Sequence, residues 1–387
     1  MPSRKPVYEP MEDSALLERY VRKYAIGKVL DVGTGSGIQA IAAAQNEDVE
    51  NVLAIDVQKD VIDYCKKNIK HEKIKFLQSD LFNKVRGKFD TIIFNPPYLP
   101  QELRLKDLTI EGGKRGYEII EIFLGEVNNF LNSDGIILII FSSLTNKKKA
   151  EELIKKNLLE FQELDKLHIF FEDIYVYILK KNELLKKLEN KSIKNLKLFA
   201  KGHRGVLYRG NYKNTSVIVK IKNPESAAMG RIENESKWLQ KLNMHNIGPK
   251  ILFVGNDYFV YRRINGVFIE IYLNKSSKKN IKKIIRAIFD QLFTLDNLKI
   301  DKEEMHHPVK HIIISKHKPF LIDFERSNYS QHPKNVTQFC QFVISGKISR
   351  ILNNKKIFVN RNKIIELAKL YKNNQTKKNL NKIIGII

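Results

Sequence analysis

Apolar runs and helical segments alternate along the first 180 residues, and this alternation narrows the available folds more than any other feature of the chain. Strand-like runs fall at residues 28–32, 52–56, 73–78, 90–95, 135–142, 167–171 and 174–179. Helical stretches lie between most of them, such as 36–45, 59–70 and 116–131. Strands joined through helices become parallel neighbours, with the helices laid on both faces of the sheet. The expected fold of this half is therefore an α/β, Rossmann-like sheet of seven strands. Only Glu172-Asp173 separates the last two strands, so the final strand is expected to run antiparallel to its neighbour.

A change of pattern marks a second domain. Residues 180–197 are rich in Lys, Leu and Asn and lack strand alternation, which suits a short amphipathic helix or a linker. Beyond them the chain is strand-rich over 198–222, helical over 232–242, strand-like at 251–254 and 258–262, and then mainly helical. The expected organisation is a first domain over 1–182, a linker over 183–197, an α+β domain over 198–345 and a basic helical tail over 346–387. A chain of 387 residues has room for two or three such domains.

Charge divides along the same line. Residues 1–182 carry 27 Lys and Arg against 28 Asp and Glu, and residues 183–387 carry 41 against 15. A general bias toward Lys would not leave one half neutral. The basic half is expected to meet a polyanion such as RNA or the ribosome; a Lys-rich solvated surface is the alternative. Cys65 and Cys340 are far apart in sequence, which points to a reducing, cytoplasmic setting and away from a cysteine-built zinc site. The polar start MPSRKPVYEP reads as no signal peptide, and no apolar run approaches the roughly 18 residues of a membrane span.

Two motifs in the first half carry chemistry. Asp31-Val32-Gly33-Thr34-Gly35-Ser36-Gly37 is a glycine-rich turn from a strand into a helix; Gly33, Gly35 and Gly37 let the backbone approach a ligand. Asp56 ends the second strand, where a carboxylate can accept hydrogen bonds from both hydroxyls of a ribose. Asp80 and Leu81 follow the third strand, placed to bind an adenine amino group and flank its ring. Asn95-Pro96-Pro97-Tyr98 then ends the fourth. The nitrogen of an amide or aryl amine is a poor nucleophile because its lone pair is delocalised. The Asn95 side-chain carbonyl and the Pro96 backbone carbonyl can each accept one of its N–H groups, which favours the positive charge that develops as a methyl group arrives. Proline stiffens the backbone between them, and Tyr98 can stack on the planar group. The chemistry this set suits is methyl transfer from S-adenosylmethionine to a planar nitrogen.

With Val7-Tyr8-Glu9-Pro10-Met11-Glu12-Asp13-Ser14 before these motifs and Gly112-Gly113-Lys114-Arg115-Gly116 after them, the first half resembles the HemK-type glutamine N5-methyltransferases, in the archaeal and eukaryotic branch that modifies class I release factors. The resemblance covers about residues 5–180. It implies a target glutamine in a Gly-Gly-Gln loop and a small zinc-binding activator subunit that covers an apolar sheet edge. Asn-Pro-Pro-Tyr by itself is shared with enzymes that methylate base amino groups in DNA and RNA, so an RNA base stays open as the acceptor.

The second half has a protein-kinase order of parts. Gly202 and Gly205 sit in a loop suited to phosphates, Lys220 ends the strand Val217-Ile218-Val219, Glu235 lies in the following helix, and Asp323 opens Asp323-Phe324-Glu325. The set resembles the small atypical kinases of archaea near the RIO and KEOPS-complex groups, which implies ATP and a Mg²⁺ ion on Asp323. Aligning the Ile-rich strand puts His306 at the catalytic Asp and His311 at the metal-binding Asn. His306 can accept a proton near neutral pH, whereas a neutral imidazole suits Mg²⁺ poorly. An active kinase, a nucleotide-binding pseudokinase and an unrelated RNA-binding fold all remain open. The His306, His307, His311 and His317 group reads as a solvated basic loop rather than a zinc site.

Overall fold

The computed structural model describes residues 10–97, 116–169, 171–202, 205–223 and 231–387. The chain divides into two compact units, Met1–Lys197 with Asn211–Lys213, and Leu198–Gly210 with Asn214–Ile387.

In the first unit, α1 (Glu12–Tyr24) leads into β1 (Gly27–Val32), α2 (Ile38–Ala44), β2 (Val49–Asp56), α3 (Lys59–Asn68) and β3 (Ile74–Gln78). The chain continues through β4 (Phe89–Phe94), α4 (Glu118–Glu126), β5 (Leu131–Ser142), α5 (Lys147–Lys156), β6 (Leu159–Ile169) and β7 (Glu172–Lys181). These strands form one Rossmann-like sheet in the order β3-β2-β1-β4-β5-β7-β6. β1 pairs in parallel with β2 and β4, β2 with β3, and β4 with β5. β7 runs antiparallel to both β5 and β6. Helices cover both faces, so alternate residues enter different cores: Leu30, Val32, Ile92 and Phe94 on one side, Val29, Ile93, Leu138 and Ile140 on the other. Burial on both faces is why the strands read as unbroken apolar runs. The strand order reverses between β1 and β4, which opens a crevice beyond their carboxyl ends. Gly33 leaves β1 and Asn95 leaves β4 at that crevice.

Two expectations shift in this unit. Ile169 pairs with Glu172 and His168 with Asp173, so Glu172 and Asp173 belong to β7 and not to the turn before it. β6 also starts at Leu159, well before residue 167. It is an edge strand studded with Glu160, Glu163, Asp165 and Lys166, the kind of charge that protects an edge from further pairing and hides the strand pattern. Residues 183–197, expected as a linker or a short amphipathic helix, form α6 (Glu183–Asn190) and the start of β8 (Ile193–Lys201). α6 buries Leu185 and Leu188. The fully buried Lys181 ties it to the sheet: Nζ donates to Glu189 at 2.7 Å and to the carbonyls of Leu131 and Asn128 at 2.9 and 3.0 Å.

The second unit opens with a five-stranded sheet, order β11-β12-β10-β9-β8. It uses β9 (Gly205–Tyr212), β10 (Thr215–Lys222), β11 (Ile251–Val254) and β12 (Tyr258–Arg262), with α7 (Arg231–Asn243) between β10 and β11. Next come β13 (Val267–Phe268), α8 (Ile269–Lys275), the long α9 (Lys278–Asn297) and β14 (Ile300–Asp301). β15 (Ile312–Ser315), β16 (Lys318–Leu321) and β17 (Asn328–Tyr329) complete two small sheets, β13-β15-β16 and β14-β17. α10 (Asn335–Val343), α11 (Gly346–Asn354), α12 (Arg361–Asn373) and α13 (Lys377–Gly385) close the chain. Residues 346–387 are helical and basic, but they are not an appended tail. Ile351, Leu352, Ile364, Leu367, Tyr371, Leu380 and Ile383 join Leu239, Phe259, Ile288 and Phe324 in one core. Their helical spacing among lysines buries one face and solvates the other. Tyr371 donates to the buried Asp296 at 2.9 Å, and Asn335 Nδ2 donates to the same carboxylate at 2.8 Å. Among the described residues, no helix is long and apolar enough to cross a membrane.

Candidate active site

The turn after β1 depends on its glycines. Gly33, Gly35 and Gly37 have φ of 67°, 52° and 83°, the left-handed region that residues with a Cβ enter at a cost. At Gly37 a Cβ would stand 2.4 Å from Ile69 Cδ1 at the end of α3, so helix and turn pack in direct contact. Thr34 fastens the turn: its N–H donates to Ile55 O at 2.9 Å and its hydroxyl to Asp31 Oδ2 at 2.6 Å. Asp56 accepts from Gly35 N–H at 3.2 Å and from Gln58 N–H at 2.9 Å. Asp31, the glycine turn and Asp56 are thus one hydrogen-bonded assembly.

Both acids are buried, Asp31 at 1% and Asp56 at 8% exposure. Burial pushes Asp31 up to about 7 despite the hydrogen bond from Thr34, and burial also raises Asp56. A cationic ligand would relieve both. The Asp56 carboxylate, with up to four acceptor sites, retains capacity to accept from a ribose hydroxyl. After β3, Ser79 N–H donates to Asp56 O at 2.9 Å and Ser79 Oγ to Leu81 O at 2.8 Å. Leu81 is left-handed, with φ of 41°, and Asp80 is exposed. The sequence-expected residues therefore stand on adjacent strand ends: Asp80 and Leu81 after β3, Asp56 at β2, the glycine turn after β1, and Asn95 after β4. A glycine-rich turn, a buried diol acceptor beside it and an acid with an apolar neighbour form a donor set that fits S-adenosylmethionine.

Asn95 is held from a direction the sequence did not reveal. Its Nδ2 donates to Asp13 Oδ2 at 3.0 Å and lies 3.5 Å from Ser14 Oγ. Asp13 Oδ1 accepts from Ser14 N–H at 2.6 Å, and Gln39 Nε2 in α2 donates to Ser14 O at 2.8 Å. Asp13 and Ser14 are themselves buried. An ionised carboxylate can only accept, so the amide nitrogen must face Asp13 and the Oδ1 end is turned away. Asp13 and Ser14 were legible only as letters of a family signature; here they set the polarity of Asn95. Pro96 is buried and Pro97 half-buried. Tyr98 lies outside the described residues, as do residues 7–9 and 112–115 of the matched segments.

The second unit gathers its own polar cluster. Gly202 N–H donates to Gly205 O at 2.9 Å, and a Cβ on Gly205 would lie 3.1 Å from Lys220 Cε. Lys220 therefore runs directly against the glycine backbone. Lys220 Nζ bonds Glu235 Oε2 at 2.5 Å and stands 3.8 Å from Asp323 Oδ1. Burial works against the Lys220 charge, and Glu235 and Asp323 more than offset it, holding the ammonium above its ordinary value. Burial likewise works to raise Asp323, while Lys220, Lys302 and His311 hold it below the ordinary carboxylate value. Glu235, Asp323 and Glu325 each bring one carboxylate oxygen within 4.8 Å of the others, the kind of oxygen donor set Mg²⁺ prefers.

His306 is exposed, and the carboxylate that meets His311 is Glu304, with Oε2 at 3.2 Å from Nε2. Lys302, which sequence reasoning missed, is 2% exposed and donates to Asp323 O at 2.6 Å. Burial pushes its amine down to about 8.

Comparison with known proteins agrees with the first-unit geometry. The family described as Methyltransferase small domain matches residues 12–171. A putative protein N5-glutamine methyltransferase of Methanocaldococcus jannaschii is 36% identical over 177 residues, covering 44% of this chain and 89% of that one. A release factor glutamine methyltransferase of Streptococcus pneumoniae is 38% identical over 76 residues, 19% of this chain and 27% of that one. A ribosomal protein uL3 glutamine methyltransferase of Bordetella pertussis is 30% identical over 151 residues, 35% of this chain and 50% of that one. The chain thus spans half or less of those two bacterial relatives. Among solved structures, the E. cuniculi Mtq2–Trm112 complex, responsible for methylation of the eRF1 translation termination factor, aligns with a TM-score of 0.39 and 22% identity over 46% of this chain and 100% of that one. Through its first unit the chain belongs to the S-adenosylmethionine-dependent methyltransferases of the small-domain, HemK-like family, among relatives named as protein N5-glutamine methyltransferases.

Proposed function

We propose that the first unit methylates the side-chain nitrogen of the glutamine in the Gly-Gly-Gln loop of a translation release factor. The observation that carries this reading is the fixed polarity of Asn95, whose Nδ2 is held by Asp13 at 3.0 Å. Its carbonyl end can then accept one N–H of a primary amide, and the Pro96 carbonyl the other. That arrangement aligns the nitrogen with the methyl group and favours the positive charge that grows on it. The proton leaves after transfer. The names of the archaeal and streptococcal relatives support glutamine as the acceptor, and a small zinc-binding subunit is the partner expected for this branch. The test is product mapping by mass spectrometry after incubation with S-adenosylmethionine and an archaeal release factor. The reading requires 14 mass units, on the order of one methyl group, on that glutamine, made by a group positioned for nitrogen transfer. Methylation elsewhere in the release factor refutes it.

A second reading assigns the acceptor to an exocyclic amino group of an RNA base. It is favoured by the excess of 41 Lys and Arg over 15 Asp and Glu in residues 183–387, which suits docking on RNA or the ribosome. For the second unit we propose a kinase-like nucleotide site that takes ATP with Mg²⁺. Gly202 and Gly205 would cover the phosphates, Lys220 braced by Glu235 would reach them, and Asp323 would hold the ion; the support is the Lys220–Glu235 pair beside Asp323. Titration with a fluorescent ATP analogue tests this. Lys220→Ala should remove binding, and unchanged affinity would mean the nucleotide site lies elsewhere.

A further inference from the structure

We propose that Glu304 is the proton acceptor for phosphoryl transfer to a hydroxyl group in the second unit, an assignment that rests on the nucleotide reading of that unit. Lys302 is locked in place: its N–H donates to Asn335 Oδ1 at 2.9 Å, its Nζ to Asp323 O at 2.6 Å, and its ammonium lies 4.7 Å from the centre of the Phe324 ring. These ties hold the chain two residues before Glu304 in register with Asp323. Glu303, Glu304 and Asp323 all have left-handed backbones, with φ of 54°, 59° and 63°. Residues with side chains adopt that conformation where their surroundings hold them to it, and such residues gather at functional sites.

The side chain of Glu304 is equally constrained. Oε1 accepts from Arg326 Nη1 at 2.6 Å and Oε2 lies 3.2 Å from His311 Nε2. His311 Nδ1 in turn stands 3.8 Å from Asp323 Oδ2, and it is a buried atom without a hydrogen-bond partner. One imidazole thus stands between the carboxylate and the aspartate proposed to hold the ion. It opens on a cavity of about 670 Å³ that His306 and Gln338 also line. His306 is exposed on the cavity rim and has no link of this kind to Asp323 among the described contacts.

The acceptor hydroxyl gives its proton to Glu304, its oxygen forms a bond to the γ-phosphorus, and the bond from that phosphorus to the β,γ-bridging oxygen breaks. The nucleoside diphosphate leaves with the electron pair. Arg326 and the His311 Nε2–H keep the carboxylate aimed and are positioning residues.

The experiment uses the full chain with γ-labelled ATP and either Mg²⁺ or Mn²⁺. It measures label transferred to the chain itself, to a generic hydroxyl-bearing protein and to water, beside binding of a fluorescent ATP analogue. Glu304→Gln keeps the shape and an oxygen acceptor but cannot take the proton. Transfer should fall by about 100-fold or more while nucleotide affinity stays within about 3-fold, since a general base acts on the reacting proton rather than on binding. Transfer by Glu304→Gln at the parent rate, or loss confined to His306→Ala, would overturn the assignment. Nucleotide binding by the parent without transfer to any acceptor would also overturn it and leave the nucleotide reading standing. Failure of the parent to bind nucleotide would remove both.

Discussion

Asp13→Asn should reverse the Asn95 amide while changing almost nothing else in shape. In the parent, Asp13 accepts from Ser14 N–H at 2.6 Å, from Ser14 Oγ at 3.3 Å and from Asn95 Nδ2 at 3.0 Å. An asparagine at position 13 has one acceptor and one donor end. If its carbonyl stays on the Ser14 backbone N–H, its NH2 meets the NH2 of Asn95. Two donors in contact are relieved when Asn95 rotates, which turns its NH2 toward the reacting nitrogen. The transition state then loses one hydrogen bond and faces a misdirected donor, together about 3 kcal/mol, or roughly 150-fold in kcat. Asp13→Ala removes the anchor without imposing the wrong orientation and should cost about 10-fold, for partial loss of the Asn95–substrate hydrogen bond of about 1–1.5 kcal/mol. The assay is transfer of labelled methyl at saturating substrates, with S-adenosylmethionine affinity by calorimetry as the control. The isosteric variant should be the worse of the two, with cofactor affinity nearly unchanged in both. Asp13→Asn turning over at more than about a third of the parent rate would refute the argument, because a donor turned toward a nitrogen that is gaining positive charge cannot be that cheap.

Other outcomes follow from the same coordinates. Asn95→Ala should abolish transfer and leave S-adenosylmethionine affinity intact by calorimetry, since Asn95 faces the acceptor and the cofactor contacts lie on the glycine turn and Asp56. Asp31, pushed up to about 7 by burial, keeps its proton in the folded unit to higher pH than in the unfolded chain. Its contribution to stability is therefore full below about pH 4 and lost as pH rises toward 7, by at most about 4 kcal/mol. Asp31→Asn should flatten the change in urea stability between pH 5 and 8, and an unchanged slope would contradict the burial argument. Removing residues 346–387 should unfold the second unit, because their apolar faces complete its core. The lone tryptophan, Trp238, is 8% exposed there, so its emission should shift to the red; an unshifted spectrum would make those helices dispensable. Tyr371→Phe should weaken the same unit by about 1–3 kcal/mol, the cost of leaving the buried Asp296 short of a donor.

The first sheet was readable because its physics is local. Strands buried on both faces are apolar without interruption, and glycines mark the turn where no side chain fits. The edge strand β6 was half hidden because Glu160, Glu163, Asp165 and Lys166 serve the edge and not the core. α6 read as a linker or a short helix, and the last three helices as a basic helical tail, because their lysines dominate the composition, while the residues that join them to the core show only at helical spacing. Asp13 could not be assigned a task from sequence, since its contact with Asn95 spans 82 positions. In the second-unit loop, counting back from the Ile-rich strand leads to His306, whereas the left-handed backbones of Glu303 and Glu304 bring Glu304 to His311, a contact that residue spacing alone does not show.

The central claim is that the first unit moves a methyl group from S-adenosylmethionine to a glutamine side chain in a release factor. The most direct measurement offers the full chain labelled S-adenosylmethionine with an archaeal release factor and bulk RNA together, with and without the small zinc-binding subunit. Label should appear in the protein fraction and be lost when the Gly-Gly-Gln glutamine is replaced by glutamate. Label in the RNA fraction, with none in the release factor, would contradict it.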